Sequence, residues 1–196
     1  TTPLHKMPEM GVFTSDIREE LLTEKADIAV HSWKDLPVNL EEGTEIAATI
    51  KRADQRDVLI FKKSSFKKKK LEIFTSSPRR QENLSKFLEK ALPFEIDSLS
   101  FSDIRGNILT RVQKLRDSNA DGLVIAKAAL DRLLFSSEKG FSELDSFRED
   151  LNTFLWMVIP CSQNPCAPGQ GALAVEVKSG NKKILELLNE INDLDV

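Results

Sequence analysis

The sequence predicts an α/β protein with two domains, each built on a mixed, mostly parallel sheet flanked by helices. Short apolar runs alternate with polar turns and amphipathic segments along most of the chain, which is typical of βαβ units. The charged segment 51–57 separates two such regions, and the change in composition there indicates a domain boundary. We therefore place a hinge near Arg52.

The composition is that of an ordinary folded protein. Of the 196 residues, 40% are hydrophobic and 30% are charged, which argues against disorder, collagen and coiled coil. The formal net charge is −3, so any anion site must be built locally and we expect no nucleic-acid partner. The longest uncharged stretch, 151–175, contains prolines and glycines and predicts strand, loop and strand, not a membrane span. Two cysteines, and an opening without a basic-then-apolar segment, favour a cytoplasmic protein.

The first region begins with an amphipathic helix. From Phe13 to about Lys25 the apolar residues fall on one helical face. The short apolar run 26–30 is typical of a buried strand, and the polar turn 31–37 ends in a proline. A second strand is predicted at 46–50.

The second region opens with an apolar strand at 58–61 and then repeats strand, polar turn and helix three times. The three repeats are residues 73–90, 96–116 and 122–132. Because ligands of such sheets bind at the carboxyl ends of the strands, the three polar turns are the candidate site.

The last part of the chain returns to strands. A polar surface segment, 142–152, precedes a predicted strand at 153–159. A loop rich in proline and glycine, 160–171, leads to a strand at 172–177 and an amphipathic helix at 182–191.

The turn before the first helix of the second region carries an unusual charge pattern. Hydroxyl residues at 75–77 cap a helix, and Pro78 suits its first position. Arg79 and Arg80 then oppose the helix dipole unless an anion lies there. The two arginines therefore either hold a carboxylate or phosphate, or point to solvent.

Three more arginines belong to the following turns and helices. Arg105 ends a strand, Arg111 lies on the next helix and Arg132 on the one after it. If the turns share one edge, these side chains meet in one cleft and recognise several negative groups. The absence of a Gly-rich loop with lysine favours a polycarboxylate over a nucleotide. The alternative is ordinary surface arginines.

The turn after the first strand offers a carboxylate. Asp35 is a candidate for the cleft floor, where it would hold a developing cation or transfer a proton, and Lys34 would keep it ionised. The alternative is a turn salt bridge between the two. His31 beside an apolar strand favours a structural role, and with His5 as the other histidine we expect no metal site.

Two other features favour interpretations without a functional role. The lysine-rich run 62–70 is interpreted as a solvated, partly disordered connection, with nucleic-acid binding as the alternative. Cys161 and Cys166 lack C-x-x-C spacing and are expected to be inert free thiols.

Several motifs, in order along nearly the whole chain, resemble those of the porphobilinogen deaminase family, also called hydroxymethylbilane synthase. Such an ordered set is far more specific than one motif. The motifs are Thr2-Pro3-Leu4, Gly11-Val12-Phe13-Thr14, Ala26-Asp27-Ile28-Ala29-Val30-His31-Ser32-Trp33-Lys34-Asp35-Leu36-Pro37, Thr75-Ser76-Ser77-Pro78-Arg79-Arg80-Gln81, Ile104-Arg105-Gly106-Asn107, Thr110-Arg111 and Pro168-Gly169-Gln170-Gly171-Ala172.

The resemblance implies a transferase of tetrapyrrole (heme) biosynthesis. Such an enzyme removes ammonia from porphobilinogen and joins four pyrroles head to tail on a covalent dipyrromethane cofactor. Each pyrrole carries an acetate and a propionate, which suits local arginines on an acidic chain. The resemblance also implies two domains like those of periplasmic binding proteins, with two crossings between them: domain 1 from residues 1–52 and 170–196, and domain 2 from residues 53–169.

The resemblance assigns roles to single residues. Asp35 matches the catalytic aspartate, which assists ammonia loss and stabilises the cations that form. Phe13, Thr75 and Gln170 are expected to line the cleft. The residues that match positions holding cofactor or substrate carboxylates are Lys34, Ser76, Ser77, Arg79, Arg80, Arg105, Gly106, Arg111 and Arg132.

The chain also departs from the family pattern. Met10 stands where the family has a lysine, and Pro78 where it has an aliphatic residue. The amino-terminal strand and the third domain, with its cofactor-anchoring cysteine, have no match, and Cys161 and Cys166 do not match that cysteine. We expect either a piece of a monomeric enzyme that acts on porphobilinogen, or a shortened relative. A non-catalytic module that binds anionic tetrapyrrole precursors is the alternative function.

Overall fold

The computed structural model describes residues 15–39, 42–135 and 142–196. The chain divides into two compact units: unit 1 is Thr1–Gln55 with Ala167–Val196, and unit 2 is Arg56–Cys166. Within the described ranges no helix is long and apolar enough to cross a membrane.

Helices and strands alternate along the chain, which confirms the predicted α/β class. In chain order the elements are α1 (Ser15–Leu22), β1 (Ala29–Ser32), β2 (Thr44–Ile50), β3 (Asp57–Lys62), β4 (Lys70–Phe74), α2 (Pro78–Ala91), β5 (Ser98–Ser102), α3 (Ile108–Asp117), β6 (Gly122–Ala126), α4 (Lys127–Leu134), α5 (Ser142–Asn152), β7 (Phe154–Ile159), β8 (Leu173–Lys178) and α6 (Lys182–Asn189).

The sheet of unit 1 has the order β1-β8-β2, and β8 pairs antiparallel with both neighbours. The expected predominance of parallel pairing is therefore wrong for the strands described in this unit. The physical reason is the strand order: β1 and β2 run in the same direction, but β8, from the far end of the chain, lies between them.

The sheet of unit 2 has the order β5-β4-β6-β3-β7; it is mixed, as predicted, but parallel and antiparallel pairs are equal in number among the described strands. Strand β4 pairs parallel with β5 and β6, whereas β3 pairs antiparallel with β6 and β7. The carboxyl ends of β4, β5 and β6 consequently lie at one edge, together with the amino end of β3. We call this edge the C-terminal edge.

Strand β3 is buried on both faces of the unit 2 sheet. Val58 and Ile60 pack in one apolar cluster with residues of α3, α4 and α5, and Leu59 and Phe61 pack in a second cluster with residues of α2. The second cluster includes Leu84 and Leu88, one helical turn apart. A strand covered on both faces reads as a continuous apolar run, as this one does.

Two segments are more ordered than the sequence suggested. The segment 142–152 was expected to be polar surface but forms α5, because Phe147 and Leu151 lie one turn apart and both are buried in the first cluster. The lysine-rich run 62–70 was expected to be a solvated connection. It includes a 3₁₀ helix, Lys63–Ser65, and its last residue begins β4.

Asp121 fixes the opposite edge of the unit 2 sheet, just before β6. Its Oδ1 accepts hydrogen bonds from Ser65 Oγ at 2.6 Å and Lys68 Nζ at 2.8 Å, and its Oδ2 accepts one from the Glu72 backbone N–H at 2.8 Å. Burial by itself raises the pKa of the Asp121 carboxyl, but the hydrogen bonds from Lys68, Ser65 and Glu72 and the charge of Lys68 bring it below its usual value. The folded protein therefore binds this proton less readily than the unfolded chain.

Asp121→Asn is expected to destabilise the protein at neutral pH by about 1 to 3 kcal/mol, the range for hydrogen bonds to a charged group. The wild-type contribution is fully present above the pKa of the unfolded chain, about 3.9, and is lost as the pH falls through the lower folded pKa. The difference between wild type and variant should thus shrink from pH 5 to pH 2 in urea unfolding. Exposed Asp117 provides a control, Asp117→Asn; a difference independent of pH would contradict the assignment.

Candidate active site

The C-terminal edge of unit 2 brings two of the predicted polar turns together. The Ser76 hydroxyl donates a hydrogen bond to the Ile104 carbonyl at 2.9 Å and accepts one from the Ile104 N–H at 2.8 Å. Thr75 is buried, and its N–H donates to the Ser102 carbonyl at 2.9 Å. Side chain and backbone together therefore join the turn after β4 to the turn after β5.

Helix α2 begins as the sequence predicted. Ser77 is its N-cap and Pro78 its first residue, and the Ser77 hydroxyl accepts a hydrogen bond from the Arg80 N–H at 3.5 Å. The first turn of α2 holds no acidic residue. Arg79 and Arg80 therefore need negative charge from elsewhere.

Asp57, the first residue of β3, supplies that negative charge. Arg80 forms a two-point contact with it, Nη2 to Oδ1 at 2.7 Å and Nε to Oδ2 at 3.0 Å, and donates from Nη1 to the Val124 carbonyl at 3.2 Å. Arg79 donates from Nη2 to Asp57 Oδ2 at 3.1 Å. The alternative that both arginines point freely to solvent is wrong, because a carboxylate of the same unit holds them.

Asn164, in the loop after β7, completes this arrangement. Its Nδ2 donates to Asp57 Oδ2 at 2.7 Å, and its Oδ1 accepts from Arg79 Nη1 at 3.0 Å. Arg79 Nη1 also donates to the Pro165 carbonyl. Asp57 and Asn164 were not among the predicted site residues; the available signal for Asp57 was an acid that opens a strand otherwise apolar as far as Phe61.

Arg111, in the first turns of α3, binds back to the backbone of the turn after β5. Arg111 Nε donates to the Gly106 carbonyl at 2.7 Å. Gly106 has φ of +114°, and a Cβ there would lie 2.8 Å from Thr110 Cγ2, so glycine is required. Burial and the nearby charge of Arg80 both lower the pKa of the Arg111 guanidinium. A bound carboxylate would offset both effects.

The remaining predicted cations of unit 2 lie in different settings. The Arg105 carbonyl accepts a hydrogen bond from Lys114 Nζ of α3 at 2.9 Å. Arg132 is exposed in the second turn of α4. Ser76, Ser77, Arg79 and Arg80 therefore lie at the C-terminal edge and form hydrogen bonds there. Arg132 forms no ion pair with any described residue.

Three guanidinium groups lie at this edge. Arg79 and Arg80 bind the carboxylate of Asp57, and Arg111 lies near Arg80, whose charge lowers the pKa of Arg111. Among the described residues Arg111 forms no ion pair. The edge therefore retains positive charge and planar donors suited to carboxylates.

The candidates of unit 1 lie in a 3₁₀ helix, Trp33–Asp35, directly after β1. The Trp33 N–H donates to the Ala172 carbonyl at 3.1 Å, and a Cβ at Gly169 would lie 2.5 Å from Trp33 Cδ1. Lys34 and Asp35 are exposed, and Asp35 takes part in no hydrogen bond or ion pair in the part of the chain that the structure describes. The alternative of a turn salt bridge with Lys34 is therefore wrong.

Gln170 and His31 are both buried in unit 1. Gln170 Nε2 donates to the Gln55 backbone carbonyl at 2.7 Å, and the Gln170 backbone carbonyl accepts from Arg52 Nε at 3.0 Å. His31 Nε2 lies 2.8 Å from Glu176 Oε2, so the histidine packs against a buried carboxylate and its structural role stays a prediction. Gln170 therefore links the two chain segments of unit 1.

Three further predictions concern Phe13, the two cysteines and metal binding. Phe13 lies outside the described residues. Cys161 and Cys166 are half-buried and are not joined to each other in a disulfide. No group of three potential metal ligands occurs within residues 15–39, 42–135 and 142–196.

Known proteins are similar to this chain over nearly its whole length. Residues 1–186 match the family model described as porphobilinogen deaminase, dipyromethane cofactor binding domain. Porphobilinogen deaminase of Prochlorococcus marinus (strain MIT 9215) is 36% identical over 196 residues, covering 97% of this chain and 54% of that protein. Porphobilinogen deaminase of Bacillus anthracis (strain CDC 684 / NRRL 3495) is 37% identical over 195 residues, covering 97% of this chain and 55% of that protein. The chain thus spans about half the length of these curated relatives.

Solved structures also resemble the chain. An ABC transporter from Parabacteroides distasonis is 9% identical with a TM-score of 0.48, covering 90% of this chain and 57% of that chain.

Proposed function

Because this chain belongs to the porphobilinogen deaminase family, we propose that it carries part of the active site of an enzyme that removes ammonia from porphobilinogen. In this proposal the enzyme joins four such units head to tail into hydroxymethylbilane, a step of tetrapyrrole (heme) biosynthesis.

The observation that carries the proposal is the group of three guanidinium groups at the C-terminal edge of unit 2. Arg79 and Arg80 bind one carboxylate there, that of Asp57, and Arg111 lies near enough to Arg80 for the charge of Arg80 to lower its pKa. The acetate and propionate groups of pyrroles are carboxylates, and guanidinium forks bind carboxylates through two parallel hydrogen bonds. We assign the edge to binding these groups.

The matched family model describes a dipyromethane cofactor-binding domain, and the residues of the edge fit such a group. When bound, the cofactor supplies a pair of covalently held pyrroles to which further pyrroles are joined. Arg111 is half-buried, and both burial and Arg80 lower its guanidinium pKa, so a cofactor carboxylate beside it would restore its charge balance. We propose that Arg111, with Arg105 and the Gly106 turn, holds cofactor carboxylates.

The hydroxyl residues have a supporting role in this proposal. The Ser76 hydroxyl is hydrogen-bonded to the Ile104 backbone, and the Ser77 hydroxyl caps the start of α2. The two residues therefore shape the turn that presents Arg79. Lys34 and Arg132 are exposed, and we propose that they attract the anionic substrate.

Asp35 is the proposed catalytic carboxylate. Its side chain is exposed and forms no contact that fixes the described fold, so it is available to a substrate. A carboxylate near the carbon that loses ammonia would stabilise the positive charge developing there and assist the proton transfers.

Intact-mass measurement of the full-length protein, before and after incubation with porphobilinogen, tests the function. We expect a covalent mass of two pyrrole units at the start and further pyrrole units after incubation, with ammonia released in proportion. A protein that binds porphobilinogen reversibly but never gains mass would be a binding module. That outcome would overturn the proposed activity while leaving the carboxylate-binding edge in place.

A further inference from the structure

We propose that Asp57 is a positioning residue that sets Arg79 and Arg80 at the C-terminal edge of unit 2, and that Asn164 locks its carboxylate in place. This inference rests on the proposed function, in which the two arginines bind pyrrole carboxylates.

The Asp57 carboxylate is the centre of a buried hydrogen-bond cluster. Its side chain is fully buried; Oδ1 accepts from Arg80 at 2.7 Å, and Oδ2 accepts from Arg80 at 3.0 Å, from Arg79 at 3.1 Å and from Asn164 at 2.7 Å. Asp57 therefore holds both guanidinium groups through its two oxygens.

Strand register explains why a residue so far from α2 in sequence reaches its first turn. Asp57 pairs with Ala126 at the end of β6 and with Ile159 at the end of β7. Because β3 runs antiparallel to β6, its first residue lies at the edge where the parallel strands end. The loop after β7 reaches the same edge and brings Asn164 to Asp57.

The carboxylate is rigid, whereas the arginine side chains are long. Asp57 begins an interior strand of the sheet and has few rotamers, but an arginine loses substantial conformational entropy when it is ordered. By ordering Arg79 and Arg80 before a ligand arrives, Asp57 removes this cost from binding. The benefit belongs to affinity for carboxylates and not to the chemical step.

The two arginines share Asp57 unequally. Arg80 is 10% exposed and uses Nε, Nη1 and Nη2 on Asp57 and Val124. Arg79 is 27% exposed and reaches Asp57 through one nitrogen, with Asn164 and Pro165 holding the other. Asn164 therefore acts mainly on Arg79, the arginine more open to a ligand.

Steady-state kinetics of full-length variants test the proposal. Asp57→Asn removes the charge, and Asn164→Leu removes the bridging amide but keeps the ion pairs. We expect each variant to raise the KM for porphobilinogen about tenfold, which corresponds to about 1.4 kcal/mol, with kcat nearly unchanged. Asp57→Glu should recover part of the affinity. The control Asp150→Asn, which removes a carboxylate bound to exposed Arg116, should leave KM unchanged.

The result that overturns the proposal is a folded Asn164→Leu protein whose KM matches that of wild type. If Asp57→Asn does not fold, because it leaves Arg80 buried without its counter-ion, Asn164→Leu decides the question. A kcat that falls while KM is constant would also contradict it.

A probe independent of catalysis separates this inference from the proposed function. Succinate is titrated while the ¹⁵N signals of the arginine Nε–H groups are recorded. We expect the wild-type Arg80 signal to exchange slowly with solvent, and both variants to bind succinate about tenfold more weakly. Equal succinate affinity would overturn the positioning role, whereas weaker affinity in a protein that never deaminates porphobilinogen would refute only the enzyme.

Discussion

Asp35→Asn is expected to abolish ammonia release from porphobilinogen while leaving the fold intact. The loss in kcat should be at least about 100-fold, the lower end of what a positioned acid–base group contributes. Asparagine keeps the shape of the side chain but cannot supply a negative charge to the developing cation. The effect should fall on kcat and not on KM, because the groups proposed to bind the substrate carboxylates are elsewhere.

The exposed position of Asp35 makes this experiment decisive. A surface substitution that breaks no contact changes stability by less than about 0.5 kcal/mol, and Asp35 forms no hydrogen bond or ion pair with any described residue. A loss of activity therefore cannot be attributed to unfolding, which urea denaturation checks directly.

Asp27→Asn is the matched control. Asp27 is also an exposed aspartate of unit 1, shortly before β1. We expect it to retain full activity. Undiminished ammonia release by Asp35→Asn would remove the catalytic assignment of this carboxylate.

Local patterns predicted the parts of the site that depend on local structure. Ser77 before Pro78 predicted the start of α2, and the structure confirms both positions. His31 beside an apolar run predicted a structural histidine, and it pairs with Glu176. Capping and burial depend on a few neighbouring residues, so a single sequence contains the information for them.

Strand order is the information that the sequence pattern lacked. The carboxylate that holds Arg79 and Arg80 reaches them because β3 lies antiparallel beside β6, and an apolar run does not specify its neighbours or direction. For the same reason the sequence did not predict the antiparallel pairing in unit 1. It did not predict α5 either, because its apolar residues Phe147 and Leu151 are too widely spaced among charges to indicate burial without the partner surface.

Glu176→Gln is expected to cost unit 1 about 3 to 5 kcal/mol of unfolding free energy, the range for a buried ion pair that loses one partner. Glu176 is fully buried in β8; its Oε1 accepts from Arg18 Nε at 2.7 Å and from Thr44 Oγ1 at 2.6 Å, and its Oε2 lies 2.8 Å from His31 Nε2. Glutamine preserves the shape but leaves the Arg18 charge buried beside a neutral group.

The two tryptophans allow each unit to be followed separately. Trp33 belongs to unit 1 and Trp156 to unit 2. In a Trp156→Phe background, urea unfolding monitored by Trp33 fluorescence should show the full shift caused by Glu176→Gln. The exposed Glu186 of α6 provides the control Glu186→Gln, which should change the midpoint little. A shift below about 1 kcal/mol would show that the Arg18 charge is compensated without Glu176.

The double variant Arg18→Met with Glu176→Leu separates what this ion pair does from what its loss costs. Replacing both partners of a buried pair by apolar side chains is often neutral, because the desolvation of two charges offsets their attraction. We therefore expect the double variant to recover most of the stability that Glu176→Gln loses. Since β8 must enter between β1 and β2, a charged group that pairs with α1, β1 and β2 at once admits β8 in one register. The ion pair is thus expected to add little net stability, and we infer that its benefit is in selecting that register over others.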